Sequence, residues 1–359
     1  MTLLSKRATW ARFALALVIG TVGAAIFAYI RFPLAWMLGA MCACTIATLL
    51  RLPVLPVAQV RPVMTAIVGV LLGASFSPDH LAGLTGWIPT LFGLVGYVLV
   101  CALLVTPYFR LVAGMDLPTA LFAAMPGGVV EMMLLGEEKG GDGRTIALVH
   151  SARILFVVAA VPAIIAFTAD ASIVTDVRST RPSITQTPLA SQLLLVGCII
   201  VGMIVGRILK LPAKYLLGPM LVSAAVHMTG VTDFQPAAEV IIVAQVVLGT
   251  LIGCRFAGVS PKRVGAILMV SAGSVTIMLA VALLFALGLD LVSPYGLKAI
   301  LLAYSPGGLN EMSLVALAMD IEVAFVSGHH IVRVILVVAL AQFLFRGAVK
   351  LAPRKQDVV

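Results

Sequence analysis

Apolar runs of helical length recur along this chain from end to end, for example at residues 13–30, 86–105, 189–206 and 264–288. Each approaches the roughly 20 residues that a helix needs to span the hydrocarbon core of a bilayer. The chain is 61% hydrophobic and 11% charged, with a mean hydropathy of +1.14, whereas soluble domains carry about 45–50% apolar and about 25% charged residues. These features define an all-α polytopic membrane protein and leave no stretch for a soluble domain. The first run, which follows Lys6, Arg7 and Arg12, is expected to be a retained helix rather than a signal peptide, because a similar segment opens the second half.

The second constraint is a duplication. "AAMPGGVVEMM" at residues 123–133 returns as "AYSPGGLNEMS" at 303–313, an offset of 180 residues. The same offset pairs Gly69, Gly73 and Phe76 with Gly249, Gly253 and Phe256, and His150 and Arg153 with His330 and Arg333. Shifted by one residue, "FPLAWMLGAM" (32–41) matches "LPAKYLLGPM" (211–220). The expected organisation is therefore an N-terminal membrane repeat at 1–168, a polar linker at 169–188 and a C-terminal membrane repeat at 189–359.

Each repeat holds five plain apolar spans plus a segment broken by Pro-Gly-Gly, at 116–137 and 296–317. If the broken segment crosses the membrane, the repeats are parallel, and cytoplasmic loops hold 13 Lys and Arg against 9 outside. If it turns back, the repeats are inverted, and the division is 18 against 4, with Arg153 and Arg333 inside the membrane. Lys and Arg concentrate in cytoplasmic loops, so the expected fold is two inverted repeats of five transmembrane helices plus one re-entrant helical hairpin each. That gives about ten crossings, a bacterial inner-membrane location and cytoplasmic termini, with the linker outside. Arms of about ten residues reach about 15 Å, half of a 30 Å core. The two tips are then expected to meet at mid-membrane.

Irregular backbone at that depth survives only where protein covers it or water fills a cavity. The tips Pro126, Gly127, Gly128 and Pro306, Gly307, Gly308 are thus expected between the repeats. Each second arm begins a half-helix whose N-terminus carries roughly +0.5 charge. Glu131 and Glu311 fall in its first turn, and Val130 in one copy matches Asn310 in the other. His150, Arg153, His330 and Arg333 lie on one face of the helix after each hairpin. Charges at such depth are costly and mark ion or substrate pathways; the alternative is that Glu131 with Arg153, and Glu311 with Arg333, are static ion pairs. The histidines are more readily structural, hydrogen-bonded residues than proton carriers. Inverted repeats whose broken helices meet centrally are a transporter design. The summed charge of arginines, glutamates and helix ends favours a small anion, with a proton or sodium as coupling ion.

The G-x-x-x-G pairs Gly69/Gly73 and Gly249/Gly253 permit close helix contact; packing is the simpler role, and approach to a hairpin tip the functional one. The five cysteines and fifteen methionines show no ligand spacing, so neither a metal nor a cofactor is expected.

The doubled P-G-G-x-x-E-M signature, Pro126–Met132 and Pro306–Met312, resembles the bacterial AbrB-type membrane family described as an AbrB duplication, and the resemblance covers nearly the whole chain. Members carry labels such as transcriptional regulator or ammonia monooxygenase. An oxygenase needs converging imidazole or carboxylate ligands, and the only adjacent histidines, His329 and His330, diverge on a helix. A DNA-binding regulator needs a basic soluble reading element, and the linker has none. The expectations are a non-enzymatic secondary transporter embedded in the lipid bilayer that binds a small-molecule substrate and no nucleic acid, or alternatively a membrane sensor that affects gene expression without flux.

Overall fold

The computed structural model describes residues 3–76, 83–168, 181–211, 213–230, 232, 234–319 and 321–351. His80, most of the polar linker and the basic C-terminal tail lie outside the described residues. Among the described residues the chain is helical without strands. The first half forms α1 (Leu3–Tyr29), α2 (Ala35–Leu49), α3 (Arg61–Gly73), α4 (Ile88–Val112), α5 (Leu117–Ala124), α6 (Val129–Glu138) and α7 (Gly143–Thr168). The second half repeats that order as α8 (Leu189–Ile208), α9 (Lys214–Met228), α10 (Ala238–Gly253), α11 (Pro261–Asp290), α12 (Gly296–Tyr304), α13 (Leu309–Ala318) and α14 (Val323–Leu351).

Local chemistry sets several of these boundaries. Prolines open α3, α4, α5 and α11 within their first two positions, where no backbone N–H is needed. Ser260 caps α11 by accepting from the Arg263 N–H. The duplication extends to the backbone: Arg31 and Leu34 before α2 adopt positive φ, and so do Lys210 and Ala213 before α9. The offset there is 179 residues, so the extra residue of the second repeat enters between its second and third helices.

Among the described residues seven helices, α1, α4, α7, α8, α10, α11 and α14, are long and apolar enough to cross a membrane, which makes this a membrane-embedded protein. The other expected spans, α2, α3 and α9, have only 15, 13 and 15 residues. Much of each is buried among neighbouring helices, and the glycine pairs permit close packing across the two repeats. A Cβ on Gly249 or Gly253 would stand 2.3 and 2.5 Å from the carbonyl oxygens of Met37 and Met41 on α2. One on Gly69 or Gly73 would meet those of Leu216 and Met220 on α9 at 2.5 and 2.4 Å. The glycines therefore lock the third helix of each repeat to the second helix of the other. They serve packing between the repeats.

Each Pro-Gly-Gly segment is two short helices, and the first turns back on itself: the Asp142 N–H donates to Thr119 Oγ1 at 2.8 Å, joining the end of α6 to the start of α5. In the second, Tyr295 before α12 stacks on Phe325 at the start of α14, with ring centroids 4.3 Å apart. The two hairpin bases lie at opposite ends of the long helices. Arg263 at the start of α11 bonds Asp142 at 3.0 Å, and Trp87 before α4 donates to Tyr295 Oη at 2.9 Å.

Candidate functional site

A helix broken at mid-length leaves the last carbonyls of its first half without partners. In this chain arginines supply them. Arg153 on α7 donates from Nη1 to the Met125 carbonyl at 2.8 Å and from Nη2 to that of Gly127 at 3.1 Å. Arg333 on α14 does the same to Ser305 and Gly307, at 2.5 and 2.6 Å. Both arginines are buried. The histidines one turn earlier complete the clamp: His150 Nε2 bonds the Phe122 carbonyl at 2.9 Å, and His330 Nε2 that of Leu302 at 3.2 Å. Arg153 Nη2 also reaches His150 Nδ1 at 2.9 Å. Since a guanidinium only donates, Nδ1 accepts and the ring proton stays on Nε2, directed at Phe122.

The static ion pairs considered from sequence are absent: among the described residues no ion pair within 4 Å joins Glu131 to Arg153 or Glu311 to Arg333. The planar fork of each guanidinium is spent on backbone carbonyls instead. Each glutamate folds back toward its own half-helix start, since a Cβ on Gly128 would lie 2.1 Å from Glu131 Oε2 and one on Gly308 2.0 Å from Glu311 Oε2. That explains the second glycine of each triplet. The first tip also touches the other repeat, where a Gly127 Cβ would meet Val337 of α14 at 2.7 Å. Arg153 and Arg333 lie close enough to act on one another electrostatically, with Tyr97 and Cys101 in reach of both.

The clamps match, but the two second arms do not sit alike. On α6, Val130 is 48% and Leu134 56% exposed. On α13, Glu311 is 6% and Leu314 1% exposed. The second tip borders a cavity of about 160 Å³ lined by Arg61, Arg255, Asn310 and Glu311 with apolar neighbours. Arg61 and Arg255 were not singled out in the sequence because neither recurs: the 180-residue offset pairs them with Ile241 and Ser75.

The other two described histidines are also committed. His329 bonds Thr90 Oγ1 and the Phe325 carbonyl, each at 2.8 Å, and His227 bonds the carbonyls of Ser223 and Phe234 at 2.8 Å. Among the described residues no three His, Cys, Asp or Glu side chains converge as a metal-ligand set. The cysteines are free thiols, four of them buried.

Fold and site together define a helical membrane protein built on a doubled, arginine-clamped hairpin. The family described as "Transition state regulatory protein AbrB" matches residues 36–348, and the chain belongs to that family. It is similar to "Uncharacterized protein YhjN" of Bacillus subtilis (strain 168), 29% identical over 260 residues that cover 67% of this chain and 66% of that protein. The matched part thus spans just under two thirds of that relative's length. It is also similar to "Putative regulator AbrB" of Escherichia coli (strain K12), 24% identical over 282 residues, 76% of this chain and 80% of that protein.

Proposed function

We propose that this protein is a secondary transporter of a small anionic metabolite, a pair of inverted repeats with ten crossings and two re-entrant hairpins in a bacterial inner membrane. The observation that carries the reading is the placement of the hairpin bases at opposite ends of α4 and α11. Those helices have 25 and 30 residues, about 37 and 45 Å at 1.5 Å per residue. A hairpin rooted at each end supports entry from opposite faces. The arms, of eight to ten residues, are of a length to stop near the middle.

The unequal burial of α6 and α13 supports alternating access. Two like units held in different positions are the arrangement that inverted repeats exchange when a central site opens first to one side and then to the other. Glu131 and Glu311, each folded back beside a tip and neither held by an arginine clamp, are the residues through which a proton or sodium ion couples. The protein is not an enzyme in this reading. Each described imidazole bonds at least one backbone carbonyl, as fastening residues do.

The regulator name of the Escherichia coli relative favours a second reading, a membrane sensor without flux. Proteoliposomes separate the two, because a sensor binds without net movement. Single cysteines at 140 and 321 should label from opposite faces, the first cytoplasmic. Labelling from one face would remove the inverted topology. Transport at wild-type rates in both Glu131→Gln and Glu311→Gln would remove the coupling role.

A further inference from the structure

Beside the second hairpin tip the structure holds a cavity whose arginines have no counterpart at the first tip. Arg61 enters it from the start of α3 and Arg255 from the turn after α10, while Asn310 and Glu311 enter from the first turn of α13. Arg255 is held by one bond, Nη1 to Ser151 Oγ at 3.2 Å, which leaves most of its fork free. Glu311 is 94% buried, yet among the described residues no hydrogen bond reaches its carboxylate. It acts on Arg255 through space, as does Arg61 with like charge. Two arginines and one glutamate leave an excess of one positive charge, to which the α13 N-terminus adds roughly +0.5. So the cavity combines excess positive charge, spare guanidinium donors and a buried, unbonded carboxylate.

We infer that this cavity is a binding site for a small monocarboxylate, held by Arg61 and Arg255 while Glu311 balances one of their two charges. The inference rests on the transporter reading and supplies its substrate class. Guanidinium forks match a planar carboxylate through paired hydrogen bonds, and Asn310 adds an amide donor. The size follows from the volume: a cavity of 160 Å³ matches one known to admit benzene, so the ligand has about six non-hydrogen atoms. With a monocarboxylate bound, two guanidinium groups face two carboxylates and the side-chain charges of the site balance. The groups facing Glu311 there are Arg61 of α3, Arg255 after α10 and its own neighbour Asn310, with Ser151 of α7 behind Arg255. At the first tip, Ile241, Ser75 and Val130 take the places of Arg61, Arg255 and Asn310, so the corresponding site lacks its anion donors.

The test is titration calorimetry on the full chain in detergent, with lactate as probe. Citrate, inorganic phosphate and ethanolamine are the controls. Lactate should bind, and Arg61→Gln and Arg255→Gln should each weaken it by about tenfold or more. Arg61 is exposed, so its variant keeps the test valid if Arg255→Gln fails to fold. Unchanged binding in both arginine variants, no lactate binding in the wild type, or a preference for phosphate, citrate or ethanolamine each overturns the site. Lactate binding as expected, with no flux in proteoliposomes, would leave the site standing and remove transport. Carboxylate flux indifferent to both arginine variants would do the reverse.

Discussion

Replacing Arg153 with Met separates a carbonyl clamp from an ion pair. The substitution removes two charge-assisted hydrogen bonds, to Met125 and Gly127, each worth about 1.5–3 kcal/mol. It also relieves the protein of an intramembrane charge, a gain of about 2.5–3.5 kcal/mol. The net expected loss is on the order of 2 kcal/mol, because His150 Nδ1 is left without its donor as well. Arg153→Lys keeps the charge but cannot reach both carbonyls in one fork, so it should lose a similar amount. Glu131→Gln should cost less than about 0.5 kcal/mol, since the groups acting on Arg153 are Arg333, Tyr97 and Cys101. In a double-mutant cycle the Arg153 and Glu131 changes should then add within about 0.5 kcal/mol. Reversible unfolding in bicelles, followed by steric trapping, measures all four corners. A buried ion pair would instead make either single change cost about 3–5 kcal/mol. A coupling energy above about 1 kcal/mol would therefore refute the clamp.

Gly249→Ala, with its Cβ 2.3 Å from the Met37 carbonyl, should destabilise the protein by about 1–3 kcal/mol. Gly265→Ala, which meets nothing within 4 Å, should not, and equal melting temperatures would dismiss the interlock between repeats. Gly308→Ala should leave the melting temperature nearly unchanged, because a flexible carboxylate yields to the new methyl, yet it should slow coupled flux by displacing Glu311; wild-type flux would count against the placement of that carboxylate. At the first hairpin base, burial acts to raise the Asp142 pKa, but bonds from Thr145 and the charge of Arg263 outweigh it and hold the carboxyl below its usual range. A depressed value contributes stability above the unfolded pKa of about 3.9 and loses it as pH falls through the folded value. With Asp142 49% exposed, the effect is below about 1 kcal/mol. Hydrogen-exchange protection at 142–146 should drop between pH 6 and pH 3 in the wild type, and a drop of the same size in Asp142→Asn would assign it elsewhere.

The doubled motif was legible because breaks in long apolar runs are rare and these two stand 180 residues apart. His150, Arg153, His330 and Arg333 were legible as intramembrane polar residues for the same reason. Their partners were not, since they are backbone carbonyls: Met125 in one repeat corresponds to Ser305 in the other, and neither side chain records that its carbonyl accepts from an arginine. The glycine pairs announced close contact but not with which helix, as a carbonyl on α2 or α9 leaves no mark on the residue that bears it. Arg61 and Arg255 were hidden differently. A search for duplicated residues passes over them, and a charge count assigns them to cytoplasmic loops. The residues that recur, Arg153 with Arg333 and His150 with His330, fasten each hairpin to the helix that follows it, a task both halves share. A fold of two like halves becomes directional only through residues that differ between them, and Arg61, Arg255 and Asn310 gather at one tip and not at the other.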